Sequence, residues 1–132
     1  MIPHLSLVNT VNSENFYSES KIRQFIIKAD EPLTNQGADL APAPLDLLNA
    51  SLASCTASYL RFQATKRGIK TGEILVKIKI RKDENDILLF DRTLKFENKL
   101  NDEEISFLLE KVNYTPITKI IIQSQTIQTR II

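Results

Sequence analysis

Alternating apolar and polar residues predict antiparallel strands near the start, in the middle and at the end of the chain. Near the start, residues 4–11 and 21–30 are β-rich, and the polar residues 12–20 would connect them as an antiparallel pair. In the middle, residues 73–82 alternate most clearly, and residues 87–98 are predicted to complete a hairpin with them. The tail, from Thr118 onward, is β-branched and is predicted to form a last strand.

The stretch between these strand pairs predicts a long helix over residues 45–68. Pro44 and Asp46 suit its first turn, and Gly68, after two basic residues, suits its end. Small residues crowd the centre of this helix, where they would let another backbone approach closely. The larger apolar positions fall on the same broad face as the single cysteine, Cys55, and are Leu48, Leu52, Tyr59 and Phe62. A helix this apolar is predicted to be central and buried.

A second, shorter helix is predicted over residues 102–112, because Asn101 can cap it and three acidic residues fill its first turn. Pro116 is expected to end this helix. The predicted order of strand, strand, helix, strand, strand, helix, strand defines an α+β fold. Because the 132 residues contain no linker or repeat, we expect a single domain over residues 1–132.

Composition and charge limit the classes of function that we expect for the chain. Hydrophobic residues make up 42% of the chain and charged residues 25%, which is typical of a folded globular protein. The net charge of +1 argues against a nucleic-acid partner. The sequence starts without a cationic and apolar leader and contains no apolar run long enough to cross a bilayer. We therefore expect a cytoplasmic protein with no membrane partner.

Cys55 is the one candidate nucleophile, and two interpretations of it stay open. Free cysteines are often buried and pack as small apolar side chains, whereas a working thiol needs a cation or a helix N-terminus to stabilise its thiolate. Cys55 lies about ten residues inside the predicted helix, so a cation would have to come from elsewhere in the fold. The chain has one cysteine, one histidine, His4, and three isolated glycines, so neither a metal nor another cofactor is expected.

Two segments resemble the OsmC/Ohr family. Residues 30–68, DEPLTNQGADLAPAPLDLLNASLASCTASYLRFQATKRG, are similar to a proline-ended loop and a central helix of the form P-x-[DE]-L-L-x-A-x-L-A-x-C-T-A. Residues 100–132 are similar to the carboxy-terminal half of the family. The resemblance implies an OsmC-like α+β fold in which antiparallel sheets wrap around the long central helices of an intertwined homodimer.

For the site, the resemblance implies that Cys55 attacks an organic hydroperoxide and becomes a sulfenic acid. Active members carry a glutamate where this chain has Leu45, and the nearest acid here is Asp46, a second candidate catalytic residue. Thr115 stands at the position of the second, resolving cysteine, and Thr118 replaces a histidine. Because threonine cannot form a disulfide, an external thiol would have to resolve Cys55.

Active members also hold the thiolate with an arginine from the loop before the helix, and residues 30–44 contain no basic residue. The nearest basic residues are Arg23 and Lys28 on the preceding strand, and Arg61 matches a commonly basic position in the helix. The favoured hypothesis is a one-cysteine thiol peroxidase that acts on organic hydroperoxides. The alternatives are a non-catalytic dimer that binds a small apolar ligand at the protomer interface, and a dimer with a purely structural or partner-binding role.

Overall fold

The computed structural model describes residues 5–132 and has a mixed α+β architecture, as predicted. His4, at the start of the first predicted strand, lies outside the described residues. The chain forms two compact units, divided in the sequence between Leu48 and Asn49, so the single domain over residues 1–132 stays a prediction. The strands and helices are β1 (Asn9–Glu14), β2 (Tyr17–Ile22), β3 (Phe25–Ala29), α1 (Pro44–Arg67), β4 (Ile74–Lys82), β5 (Leu88–Phe96), α2 (Asp102–Lys111) and α3 (Pro116–Ile122).

The first unit contains a three-stranded antiparallel sheet in the order β1-β2-β3. The sequence predicted two strands joined by a polar connection, and this was wrong because residues 17–20 of that connection form most of β2. The ladder hydrogen bonds stabilise this polar strand, and the hydroxyls of Thr10 and Ser20 add a bond of 2.7 Å across β1 and β2. The tight turns between strands place Asn15 and Arg23 at positive φ.

The segment between β3 and α1 is irregular, as predicted, apart from a short 3-10 turn at Leu33–Asn35. Asp30 organises it, because its carboxylate is buried and accepts hydrogen bonds from the backbone N–H groups of Glu31 (2.8 Å) and Leu40 (3.1 Å). A buried carboxylate with two backbone donors is satisfied without a counter-charge. This acid therefore has a structural role in the loop.

Helix α1 begins and ends within one residue of its predicted bounds. Pro44 occupies its first position, and the Asp46 carboxylate accepts a hydrogen bond of 3.0 Å from the backbone N–H of Ala43. Gly68 follows the last turn with φ of +69°, a conformation that glycine adopts without the Cβ penalty of other residues. Local signals at both ends thus fix the extent of the helix.

The buried face of α1 differs from the predicted one. Leu52 is buried as expected, but Leu48 is 43% exposed and Phe62 is 56% exposed. The buried positions recur every four residues, and they are Leu52, Thr56, Leu60 and Ala64. Thr56 tolerates burial because its hydroxyl donates to the backbone carbonyl of Leu52 at 2.7 Å, which a count of apolar residues does not reveal.

In the second unit, β4 and β5 form the predicted hairpin, with Ile78 opposite Arg92. Helix α2 follows, and Asn101 caps it in a reciprocal arrangement with Glu104, as the sequence predicted. The core of this unit is the buried cluster of Leu60, Ala64 and Leu108, against which β4, β5 and α2 pack partly buried apolar side chains. Within residues 5–132, no helix has both the length and the hydrophobicity to cross a membrane.

The predicted last strand is wrong. Helix α2 ends at Lys111, a 3-10 turn follows at Val112–Tyr114, and Pro116 begins helix α3 instead of ending α2. Thr115 caps α3 through its hydroxyl, and a proline in the first turn favours a helix, so these local signals override the β-branched composition. Residues 123–132 have no regular secondary structure and are exposed.

Candidate functional site

Cys55 lies in the middle of α1 as a half-buried free thiol. The helix dipole stabilises negative charge only in the first turn of a helix. Helix α1 begins at Pro44, so Cys55 lies well beyond that turn. The small side chains of Ser54 and Ser58 flank it along the helix, and the Ser58 hydroxyl donates to the Cys55 carbonyl at 3.3 Å. Any stabilising charge must therefore come from another element.

Arg92 brings a cation to Thr56, the residue that follows Cys55 in α1. It lies on the face of β5 that also carries Phe90 and Leu94, where the alternation places apolar side chains. Its Nη1 donates to the hydroxyls of Thr56 and Thr118, both at 2.9 Å, and its Nη2 donates to the carbonyl of Val112 at 3.2 Å. One guanidinium thus joins β5, α1, α3 and the segment before α3.

The electrostatics of Arg92 are unusual for a surface cation. Burial lowers the pKa of Arg92 below that of a free guanidinium, and the negative charge of a nearby Cys55 thiolate acts in the opposite direction. The three acceptors of Arg92 are two hydroxyls and a carbonyl, all of them uncharged. Among residues 5–132, no carboxylate forms an ion pair with Arg92. Cys55 is therefore the group that could balance its charge.

The threonine at the predicted resolving position belongs to this same cluster. Thr115 is fully buried and shares a hydrogen bond with the hydroxyl of Thr118, which is itself an acceptor of Arg92. The Thr115 hydroxyl also accepts from the backbone N–H of Thr118 at 3.3 Å. Thr115 thus positions the start of α3 and an acceptor of Arg92.

The other residues that the sequence singled out are engaged elsewhere. Asp46 accepts the backbone hydrogen bond at the start of α1, so its catalytic role stays a prediction. Arg61 donates to the Thr71 hydroxyl (2.8 Å) and the Gly72 carbonyl (2.6 Å) in the loop after α1. In the first unit, Arg23 lies over the ring of Phe25, 5.2 Å from its centroid. None of these observed contacts links Arg61, Arg23 or Asp46 to Cys55.

Sequence reasoning missed Arg92, although one signal pointed to it. In β5 the alternation puts Phe90, Leu94 and Phe96 on the apolar face, and Arg92 is the charged residue in that register. A cation at such a position needs acceptors from another element. Those acceptors come from α1 and α3, which only the tertiary fold brings together.

Two cavities adjoin the guanidinium, and both include Arg92 and Val112 in their linings. The larger, about 680 Å³, has mainly apolar walls from β5 and α3, including Leu88, Phe90 and Ile122. The smaller, about 330 Å³, lies along β5 and α2. Among the described residues, no group of histidine, cysteine and acidic side chains could hold a metal ion.

Fold and site together define an α+β protein with one thiol and a half-buried arginine that bonds to the same helix. The family model for OsmC-like proteins matches residues 36–130, and the chain belongs to this family. No curated protein matches the chain.

Solved structures share the fold at low sequence identity. The OsmC-like protein from Mycoplasma pneumoniae superposes with a TM-score of 0.76 at 17% identity, covering 91% of this chain and 89% of that one. The organic hydroperoxide resistance protein from Elizabethkingia anophelis gives a TM-score of 0.64 at 22% identity, with 92% and 91% covered. For the organic hydroperoxide resistance protein OhrB of Bacillus subtilis, the TM-score is 0.61 at 17% identity, with 90% and 93% covered.

Proposed function

We propose that this OsmC-like protein is a one-cysteine thiol peroxidase that reduces organic hydroperoxides through Cys55 and relies on an external thiol for resolution. The observation that carries the proposal is the hydrogen bond of 2.9 Å from Arg92, a half-buried cation without a carboxylate partner among residues 5–132, to Thr56, which follows Cys55 in α1. The names of the similar hydroperoxide resistance proteins support a peroxide substrate.

In the first step, the Cys55 thiolate attacks the terminal oxygen of the hydroperoxide. A sulfur–oxygen bond forms, the oxygen–oxygen bond breaks, and Cys55 becomes a sulfenic acid. The leaving alkoxide takes a proton from water and departs as an alcohol. We assign Arg92 to this step because its guanidinium bonds to the turn of α1 that carries the reacting sulfur and can offset the negative charge of the attacking group.

In the second step, an external thiol attacks the sulfur of the sulfenic acid, and water leaves as a mixed disulfide forms. A second external thiol then attacks this disulfide, which regenerates the Cys55 thiol and releases the oxidised reductant. The external thiol is needed because Thr115, at the resolving position, has a hydroxyl that cannot form a disulfide. Two reductant thiols are therefore consumed for each peroxide.

Peroxide chemistry at Cys55 can be tested directly. We expect one equivalent of cumene hydroperoxide to produce a sulfenic acid at Cys55, detected as a dimedone adduct by mass spectrometry. The Cys55→Ser variant, which keeps the size of the side chain, is the matched control and should give no adduct. With dithiothreitol present, the wild type should consume peroxide over many turnovers. Absence of both the adduct and the turnover would refute the proposed function.

The homodimer implied by the family resemblance is part of the proposal. Three large apolar side chains on α1 support it, because Leu45, Leu48 and Phe62 are 51%, 43% and 56% exposed. Sedimentation should give a dimer for the wild type and a monomer for Phe62→Glu. Leu33→Glu, at a 72% exposed residue outside α1, is the control and should remain dimeric. A monomeric wild type would exclude the dimer.

Binding of a small apolar ligand is the second candidate function, and the cavities beside Arg92 favour it. If the protein only binds such a ligand, Cys55→Ser should retain its whole activity. If the thiol does chemistry, that variant should lose peroxide consumption while it keeps the cavities. Comparing ligand binding and turnover in the same variant separates the two functions.

A further inference from the structure

The cavities beside Arg92 have the features of a site for an aliphatic acid. Arg92 carries five N–H donors, and three of them have acceptors among residues 5–132. The other two have no acceptor among these residues, and Arg92 lines both cavities. The walls around the guanidinium are mainly aliphatic and aromatic in both cavities. A single cation in a mainly apolar cleft is complementary to a ligand with one negative charge and a hydrocarbon chain.

Arg92 links the cavities to the turn of α1 that carries Cys55. Arg92 and Thr118 line the larger cavity, whereas Cys55 is not among the residues that line either cavity in the described part of the chain. A ligand could therefore reach Arg92 without contacting the sulfur. Since Arg92 has a single positive charge, a carboxylate bound to it would reduce the stabilisation available to a Cys55 thiolate.

We propose that the Arg92 cleft binds an aliphatic monocarboxylate, with the carboxylate on Arg92 and the chain in the larger cavity, and that this binding slows the reactions of Cys55. The regulatory part rests on the proposed role of Arg92 in peroxide chemistry. The binding part does not, because it depends only on the cleft and its charge. The cleft would take the carboxylate in preference to the matching alcohol, which lacks the charge.

Sodium decanoate is the probe for binding, measured by titration calorimetry with the Cys55→Ser variant so that thiol chemistry plays no part. We expect one site per chain, and affinity should rise by about fourfold for each methylene added between hexanoate and decanoate if the chain is buried. Decanol should bind at least about tenfold more weakly, because it cannot pair with the guanidinium. Equal affinity for decanol, or no binding of decanoate, would overturn the site.

Two matched variants locate the site. Leu88 lines the larger cavity and is 56% exposed, whereas Leu75 on β4 is 58% exposed and outside the linings of both cavities at Arg92. Leu88→Asp should weaken decanoate binding by about tenfold or more, because it replaces apolar wall with a like charge. Leu75→Asp should bind as wild type does. An equal loss in both variants would show that the effect is not local to the cleft.

The regulatory part needs the wild-type thiol. Saturating decanoate should slow alkylation of Cys55 by iodoacetamide, an uncharged reagent, by about fivefold or more. Decanol at the same occupancy separates charge from obstruction, since it fills the cleft and leaves the charge of Arg92 free. An unchanged rate with decanoate, or equal slowing by decanol, would overturn the coupling. If decanoate binds but peroxide yields no sulfenic acid, the proposed function fails and the binding site stands.

Discussion

Two arginines of the second unit make similar hydrogen bonds in very different surroundings. Arg61 donates to a threonine hydroxyl and a backbone carbonyl in the loop after α1. Arg92, on the apolar face of β5, donates to two threonine hydroxyls and a backbone carbonyl. Arg61 is exposed, whereas Arg92 is half-buried beside a thiol. The comparison teaches that two arginines with similar hydrogen-bond partners can differ in burial, and that only Arg92 reaches the turn of α1 that carries Cys55.

The largest effect should come from neutralising each arginine in turn. Arg92→Met keeps a long side chain without the charge, and it should slow formation of the Cys55 dimedone adduct by about tenfold or more at neutral pH. Arg61→Met removes the same charge at the exposed site and should change the rate by less than about twofold. The measurement is adduct formation over time by mass spectrometry, with circular dichroism to verify folding. Equal rates in the two variants would contradict the proposed difference between Arg92 and Arg61.

A second difference concerns stability. Thr118→Val removes an acceptor of Arg92 inside the protein, so it should lower the free energy of unfolding by about 2 kcal/mol. Thr71 is fully buried as well, but its partner Arg61 is exposed and its guanidinium can turn to water, so Thr71→Val should cost less than about 1 kcal/mol. Urea titrations of both variants give these values. A larger loss for Thr71→Val would show that exposure does not separate the two sites.

The smallest effect is expected at an acid that neither arginine contacts in the described structure. Asp46→Ala removes the acceptor for the Ala43 N–H at the start of α1, which should lower the free energy of unfolding by about 1 kcal/mol. The rate of adduct formation at Cys55 should change by less than about twofold if this cap is its whole role. A much larger fall in rate would assign Asp46 to the chemistry, as the family resemblance suggested.

Local signals explain how much of the fold the sequence could predict. The bounds of α1, the β4–β5 hairpin and the Asn101 cap each follow from neighbouring residues. The errors fell where two signals competed. Polar residues of β2 pair in a sheet with little burial, and the Thr115-Pro116 start makes a helix of a β-branched run.

For the candidate site too, local sequence signals predict one residue and the tertiary fold is needed for the other. Cys55 could be singled out from its helix and its resemblance to a family, because both are features of one segment. Arg92 could not be assigned, because its acceptors lie 36 residues before it and 26 residues after it in the chain. Distant segments contribute to one cluster only after the core has formed. No local sequence pattern therefore identifies Arg92 as a partner of the Cys55 turn.

The hydrogen bond between Thr115 and Thr118 has an evolutionary consequence. A single mutation that returned cysteine to position 115 would remove the hydroxyl that caps α3 and bonds to an acceptor of Arg92. The gain of a second thiol would then coincide with the loss of support for Arg92, the cation that we propose acts on Cys55. A two-cysteine cycle would therefore need, besides the new thiol, another group to cap α3 and to support this acceptor of Arg92.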